Sequence, residues 1–355
     1  MHFKTHFISL LVVVFLASCA SSPQLPPSSY VWPKPPDTPR IAYELTLINN
    51  DSLQPAGGED RLLAFATGGQ QIAQPAMLKP YDIAASDGVI VVTDSLLNVA
   101  HVFDVRRKKM FPIGWRKEGK LNKPLGVAMD GAQNIYIVDA GRGAVVKYDR
   151  QGLYLATYGH RSDFSRISDV AVSQAGDRIY ILDRGGVESS SHRVTLYDGS
   201  GVKQKVIGRR GHKAGEFNHP TQLALGKNGK IYVLDSGNFR VQVFDAQGNY
   251  ERHWGRPGNK TGNFARPRGI AVDDLNRVFV TDSAFQNFQI FNDVGQLLLS
   301  VGDGGGQNLP GRYMLPAGIA VDETQRVYVV DQIRRKVEVY RMLQAGDVTA
   351  GSKTE

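Results

Sequence analysis

Residues 220–255 read Pro220-Thr221-Gln222-Leu223-Ala224-Leu225-Gly226-Lys227-Asn228-Gly229-Lys230-Ile231-Tyr232-Val233-Leu234-Asp235-Ser236-Gly237-Asn238-Phe239-Arg240-Val241-Gln242-Val243-Phe244-Asp245-Ala246-Gln247-Gly248-Asn249-Tyr250-Glu251-Arg252-His253-Trp254-Gly255. Four apolar runs alternate here with turn residues: Pro220–Leu225, Ile231–Leu234, Val241–Phe244 and Tyr250–Trp254. Runs of this length, rich in Val, Ile, Tyr and Phe and bounded by Gly, Asn and Asp, read as strands joined by hairpins. Four antiparallel strands form one unit of a ring-shaped all-β architecture.

The unit recurs. Its second strand ends in Asp each time, at Asp94, Asp139, Asp183, Asp235, Asp282 and Asp331. An aromatic follows nine residues later in five copies: Phe103, Tyr148, Phe244, Phe291 and Tyr340. In the third copy it is Tyr197, fourteen residues on, because that copy carries an insertion. A β-rich period of about 45 residues means a solenoid or a propeller, and six four-stranded units predict a six-bladed β-propeller. The registered aromatics should fill the space between blades, since such side chains serve buried area first. The repeated Asp should accept hydrogen bonds from turn amides two residues on. The sixth copy, Pro316–Tyr340, supplies only three strands. Ile41–Ile48 is the remaining strand-like run, so it is expected beside Lys336–Tyr340, closing the last blade and removing an open edge.

The N-terminus reads as a processing segment. Lys4 precedes a short apolar run, Phe7–Ala17, that is too short for a membrane span of about 20 residues. The run ends in Leu16-Ala17-Ser18-Cys19, which resembles a bacterial lipobox, and Cys19 is the only cysteine. Residues 1–19 are therefore expected to be a lipoprotein signal peptide and lipobox. Cys19 is the residue that would carry the lipid and insert acyl chains such as palmitate into a bilayer. Ala20 rather than Asp follows, as in the outer-membrane sorting pattern, with the head facing either the periplasm or the exterior. Residues 20–39 hold seven of the 17 prolines and read as an extended stalk. The propeller should occupy 40–343, and 344–355 should be a disordered tail. With one cysteine, disulfides and cysteine metal sites within the chain are excluded. The net charge of +8 favours anionic partners without naming one.

The repeats resemble NHL repeats on specific residues: Pro267-Arg268-Gly269-Ile270-Ala271-Val272-Asp273, Pro316-Ala317-Gly318-Ile319-Ala320-Val321-Asp322 and Arg240-Val241-Gln242-Val243-Phe244-Asp245. With the lipobox and Trp32-Pro33-Lys34-Pro35-Pro36, residues 16–342 resemble the bacterial six-bladed propeller lipoproteins. The resemblance implies a binding platform for proteins or RNA. Some relatives, amidating lyases and gluconolactonase-like propellers, are metal-dependent at the axial channel. Three stretches depart from the pattern. Arg166-Ile167-Ser168 stands where Pro is expected, and Val187–His192 is inserted. Residues 57–79 are extra, with Glu59–Ala66 as a candidate short helix.

Two surfaces are candidates for function. In related folds the residues after each repeat's Pro lie nearest the axis: Tyr81-Asp82, Leu125-Gly126, Ser168-Asp169, Thr221-Gln222, Arg268-Gly269 and Ala317-Gly318. Tyr81, Asp82, Ser168, Asp169, Gln222 and Arg268 are the axial-mouth candidates. No catalytic residue is assigned and no cofactor is expected. Ca²⁺ between Asp82 and Asp169 is the metal the residues leave open, and Arg268 is expected to pair with one of these carboxylates instead. The histidines show no metal-ligand spacing, and no nucleophile elbow occurs. The second surface is the set of turns between second and third strands, where Arg142, Arg184, Arg240, Arg334 and Arg335 should cluster as a cationic face. The reading that follows is a non-enzymatic scaffold holding an envelope protein or complex, without nucleic acid. The alternatives are a divalent-metal hydrolase or lyase at the axial channel and an envelope glycan-binding module.

Overall fold

The computed structural model describes residues 30–54 and 76–344. Cys19, Glu59–Ala66 and the 345–355 part of the expected tail lie outside them. Six antiparallel sheets form the blades, five of them four-stranded in simple up-and-down order and the sixth five-stranded. Blade 1 comprises Pro80–Ser86, Val89–Asp94, Val99–Asp104 and Lys109–Ile113, and blades 2 to 5 repeat this order. The first strands of adjacent blades pack against one another around the axis.

Blade 6 closes the ring as the sequence predicts. Pro316–Val321, Arg326–Asp331 and Lys336–Met342 come from the C-terminal side, and Ile41–Leu47 is the outer strand. It pairs antiparallel with Lys336–Met342, from Ile41 opposite Met342 to Leu47 opposite Val337. The Pro-rich segment does not run free to residue 39. Val31–Trp32 adds a short fifth strand against Ile41–Ala42, and Trp32 packs edge-on to Tyr340 at 5.5 Å. Trp32 buries apolar area that an extended stalk would leave in water.

The core is six clusters between blades rather than one central mass. Phe103, Tyr148, Tyr197, Phe244, Phe291 and Tyr340 are all buried within them. The six second-strand Asp residues are fully buried, and their role is wider than turn capping. Asp139 accepts from Gly141 N at 3.0 Å and Arg142 N at 3.2 Å in its own turn. It also accepts from Asn122 N and Lys123 N, both at 2.9 Å, in the segment entering the blade. Asp94, Asp282 and Asp331 repeat the double grip. Each carboxylate thus ties its turn to the residue just before the first strand, by charge-assisted bonds stronger than neutral ones.

Candidate functional site: a cationic axial mouth

The Asp grip holds the backbone of the residue that precedes each first strand, at the end of the axis where the second-to-third-strand turns also gather. Reading around the ring, that column is Lys79, Lys123, Arg166, His219, Arg266 and Leu315. Amides of Lys79, Lys123, Arg166, Arg266 and Leu315 donate to the Asp of their own blade. His219 departs: its amide donates to His192 Nδ1 at 3.2 Å, and its φ is +47°. The sequence reading missed this column, because it looked after the Pro rather than before it. Aligning the repeats one residue earlier exposes the run of cations.

Three of these side chains line a cavity of about 430 Å³ at the mouth: Lys79, Lys123 and Arg166. Arg161, Arg184 and Arg268 join them, with Tyr81, Phe164, Ser165 and Gln332 between. No carboxylate lines this cavity among the described residues. None of the six cations makes an ion pair there either, whereas Arg142, Arg209, Arg240, Arg252, Arg277 and Arg326 elsewhere on the ring each have an acidic partner. Burial pushes the Arg268 guanidinium below its ordinary value, and Arg266 and Arg184 add repulsion against the opposing pull of Tyr81. His219 is lowered by burial first, then by His192, Arg184, Arg210 and Arg166. Among the buried polar atoms at this end without a hydrogen-bond partner in the described residues are Arg184 Nε and Ser168 Oγ.

Below the mouth a polar belt crosses the axis. Asp82 accepts from Gln222 Nε2 at 2.6 Å and from Val127 N at 2.9 Å. Asp169 accepts from Leu223 N at 2.8 Å, and Gln222 Oε1 from Ile270 N at 2.9 Å. Three side chains from blades 1, 3 and 4 thereby stitch neighbouring blades together. The glycines at the same repeat position make room for them. A methyl on Gly126 would lie 2.6 Å from Asp169 Cα, and one on Gly318 2.6 Å from Asp82 Cα. Burial drives Asp82 up to about 6, against the pull of its hydrogen bonds. Burial also pushes Asp169 well above the ordinary carboxylate range, and the neighbouring Asp82 pushes it further.

Several expectations are corrected by this geometry. Arg268 pairs with neither Asp82 nor Asp169; it stays at the mouth while the carboxylates take amide partners in the belt. Arg240 is not on an exposed face. It is 6% exposed, its Nε donates to Asp235 at 2.9 Å, and its Nη2 caps the carbonyls of Lys213 and Glu216. Arg334 is likewise turned inward, with Nη2 on the Gly305 carbonyl at 2.6 Å. Arg142 reaches the Glu118 and Lys120 carbonyls. Arg335 is exposed, and Arg184 belongs to the mouth. Of the axial candidates, Tyr81 and Arg268 line the mouth cavity, whereas Asp82, Ser168, Asp169 and Gln222 are buried in or beside the belt.

The belt does not fit a divalent ion. Asp82 has both oxygens engaged and Asp169 has one, and Ca²⁺ takes six to eight oxygen ligands. No group of three or more His, Cys, Asp or Glu suited to a metal occurs among the described residues. At the opposite end of the axis lies a wider cavity of about 910 Å³ that does carry acids, including Asp87, Asp274 and Glu323. The ring is therefore electrically polar along its axis.

Two stretches, residues 217–244 and 264–291, match the NHL repeat model. No curated protein matches the chain by sequence. Solved structures match its fold. A gluconolactonase from Xanthomonas campestris is 16% identical with a TM-score of 0.56, covering 75% of this chain and 87% of that one. A virginiamycin B lyase from Staphylococcus aureus is 12% identical with a TM-score of 0.54, covering 75% and 95%. An auxiliary nutrient binding protein from Bacteroides thetaiotaomicron is 11% identical with a TM-score of 0.56, covering 74% and 69%. At these identities the likeness concerns the fold: the chain is a six-bladed β-propeller carrying NHL repeats.

Proposed function

We propose that this propeller is the binding head of a bacterial envelope lipoprotein. It is held to the outer membrane through Cys19 and uses its cationic axial mouth to grip an anionic group on an envelope protein or complex. One observation carries the reading: six Lys and Arg side chains converge on one cavity with, among the described residues, no acidic residue in its lining and no ion pair of their own. Unpaired like charges held together cost folding energy through mutual repulsion and desolvation. A ligand of opposite charge offsets that cost. The same field steers anionic partners to the mouth and makes capture salt-dependent.

Sequence supports the anchor through Leu16-Ala17-Ser18-Cys19. The rim adds Arg335 and the partly tethered Arg142, but not the buried Arg240. A neutral glycan is a poorer occupant, because sugar hydroxyls need acceptors and the mouth is lined mainly by donors. The divalent-metal hydrolase or lyase reading draws on fold likeness alone.

The test is affinity recovery after crosslinking in the native cell, comparing the natural protein with a triple variant, Lys79→Gln, Lys123→Gln and Arg166→Gln. These three side chains are exposed and their charges repel one another, so the head should melt no lower than the natural protein. A partner recovered with the natural protein and lost with the variant is expected. Equal recovery would move the binding surface away from the mouth.

A further inference from the structure

The mouth also says what kind of anion it takes. This inference rests on the binding role just proposed and narrows it. We propose that the floor of the mouth is a phosphoryl-binding site, built from Arg184, Arg268 and Tyr81, with Lys123 and Arg166 above it.

Consider the donors. Arg184 and Arg268 are half-buried, whereas the other four cations of the lining are exposed, and each guanidinium presents a fixed fork of N–H groups matched to oxyanions. Arg184 is close enough to Arg268 to disfavour its charge, and both act on the Tyr81 hydroxyl. Arg184 Nε is buried without a partner among the described residues, although a buried donor left unmade is destabilising. Tyr81 and Arg268 stand at the same repeat position, one step above the belt, so the two belong to one layer around the axis.

Consider next the charge. Two arginines at the floor and two further cations above call for more than one negative charge in a small volume. The cavity of about 430 Å³ admits a compact group rather than a chain of spaced carboxylates. A carboxylate has two oxygens in one plane and one charge, and it satisfies one guanidinium fork. A phosphoryl group has three terminal oxygens and a charge near −2 at neutral pH. It can meet two forks and the Tyr81 hydroxyl together. Below the site the belt is closed by Asp82, Gln222 and Asp169. The anion therefore stops at the floor, and the rest of its molecule extends outward through the mouth. That geometry suits a terminal phosphoryl group, whether on a soluble phosphomonoester or on a lipid headgroup.

Calorimetric titration of the purified head at fixed ionic strength tests this, with glucose 6-phosphate as the soluble phosphomonoester and citrate as the compact polycarboxylate. Flotation with vesicles containing phosphatidic acid, against pure phosphatidylcholine vesicles, tests the lipid source. Glucose 6-phosphate should bind, citrate should bind at least about tenfold more weakly, and Arg268→Gln or Arg184→Gln should each weaken glucose 6-phosphate by about tenfold or more. Lys123→Gln is the second variant, since its exposed side chain can be removed without disturbing the core; it should weaken binding by a smaller factor. Arg106→Gln, at the far end of the ring, should change nothing. Binding to phosphatidic acid vesicles but not to glucose 6-phosphate supports the site and assigns the lipid source. Citrate equal to glucose 6-phosphate, with both lost in the variants, overturns phosphoryl recognition and leaves the anion-binding mouth standing. Absence of binding to all three anionic probes overturns both.

Discussion

Asp169→Asn should make this protein more stable at neutral pH and leave it little changed at acid pH. The carboxyl of Asp169 is 2% exposed and shares the axis with Asp82. Burial and then the Asp82 charge raise it well above the ordinary carboxylate value. The sign follows from proton counting. A carboxyl whose folded value is raised holds a proton that the unfolded chain has already released. Its contribution is fully present below the unfolded value, near pH 4, and is lost as pH rises toward the folded value. Above pH 4.5 the unfolded Asp is ionised while burial holds the folded one toward its protonated form, which costs up to about 1.4 kcal/mol for each pH unit below the raised folded value.

Asparagine removes that titration and keeps the geometry. Its carbonyl oxygen still accepts from Leu223 N, the bond Asp169 Oδ2 makes at 2.8 Å. Because the Asp82 and Asp169 titrations are joined, part of the gain appears as a fall in the Asp82 value from about 6. We therefore expect more stabilisation at pH 7.5 than at pH 4.5, on the order of 1 kcal/mol for each pH unit over which the folded carboxyl keeps its proton. Each 1 kcal/mol corresponds to roughly 2 °C in melting temperature for a domain of this size. Thermal unfolding followed by tryptophan fluorescence across this pH range reads it directly. A variant whose shift is the same at both ends would refute the claim that the belt holds a trapped proton.

Other outcomes follow from the same geometry. Arg240→Ala should destabilise the ring by about 3–5 kcal/mol, because it strands the buried Asp235, while leaving anion binding at the mouth unaltered in a titration. Removing residues 31–47 should open blade 6 and expose Tyr340 and Val337; a truncated head with unchanged melting would sink the closure argument. Gly126→Ala should lower stability by several kcal/mol, since its methyl would sit 2.6 Å from the Asp169 backbone. Elemental analysis of the purified protein should find no stoichiometric divalent metal, and a chelator should leave the melting temperature unmoved; bound Ca²⁺ at one per chain would overturn the reading of the belt.

The architecture was legible because it is written six times. Period, strand count and the closing role of Ile41–Leu47 all follow from local patterns that repetition makes unmistakable. The clamp by Asp139 and its equivalents was half legible. The bond to Gly141, two residues on, is a local rule, whereas the bond to Lys123, 16 residues back, needs the blade to be folded first. The cationic face was misread for a similar reason. Arg240 looks like a turn cation in sequence, but its side chain follows the strand inward to Asp235. Arg166 carries no motif of its own, and only its place one residue before the first strand puts it at the mouth.

Symmetry and function divide the chain between them. Five of the six Asp clamps hold the amide of one residue per blade at the mouth, and in blade 4 His192 holds that of His219 instead. What that residue is was free to vary, since its side chain points away from the packing. Blades 1, 2, 3 and 5 place Lys79, Lys123, Arg166 and Arg266 there, while blade 6 places Leu315 and blade 4 a His219 with its charge disfavoured. Blades 2 and 3 add Arg161 and Arg184. The positive field is therefore lopsided, and an anion at the mouth is drawn off the axis toward blades 2 and 3. A symmetric ring of weak charges would hold an ion loosely anywhere on the axis. Departures confined to one side hold it in one place, with the clamps supplying the rigidity that makes a fixed arrangement of cations a site.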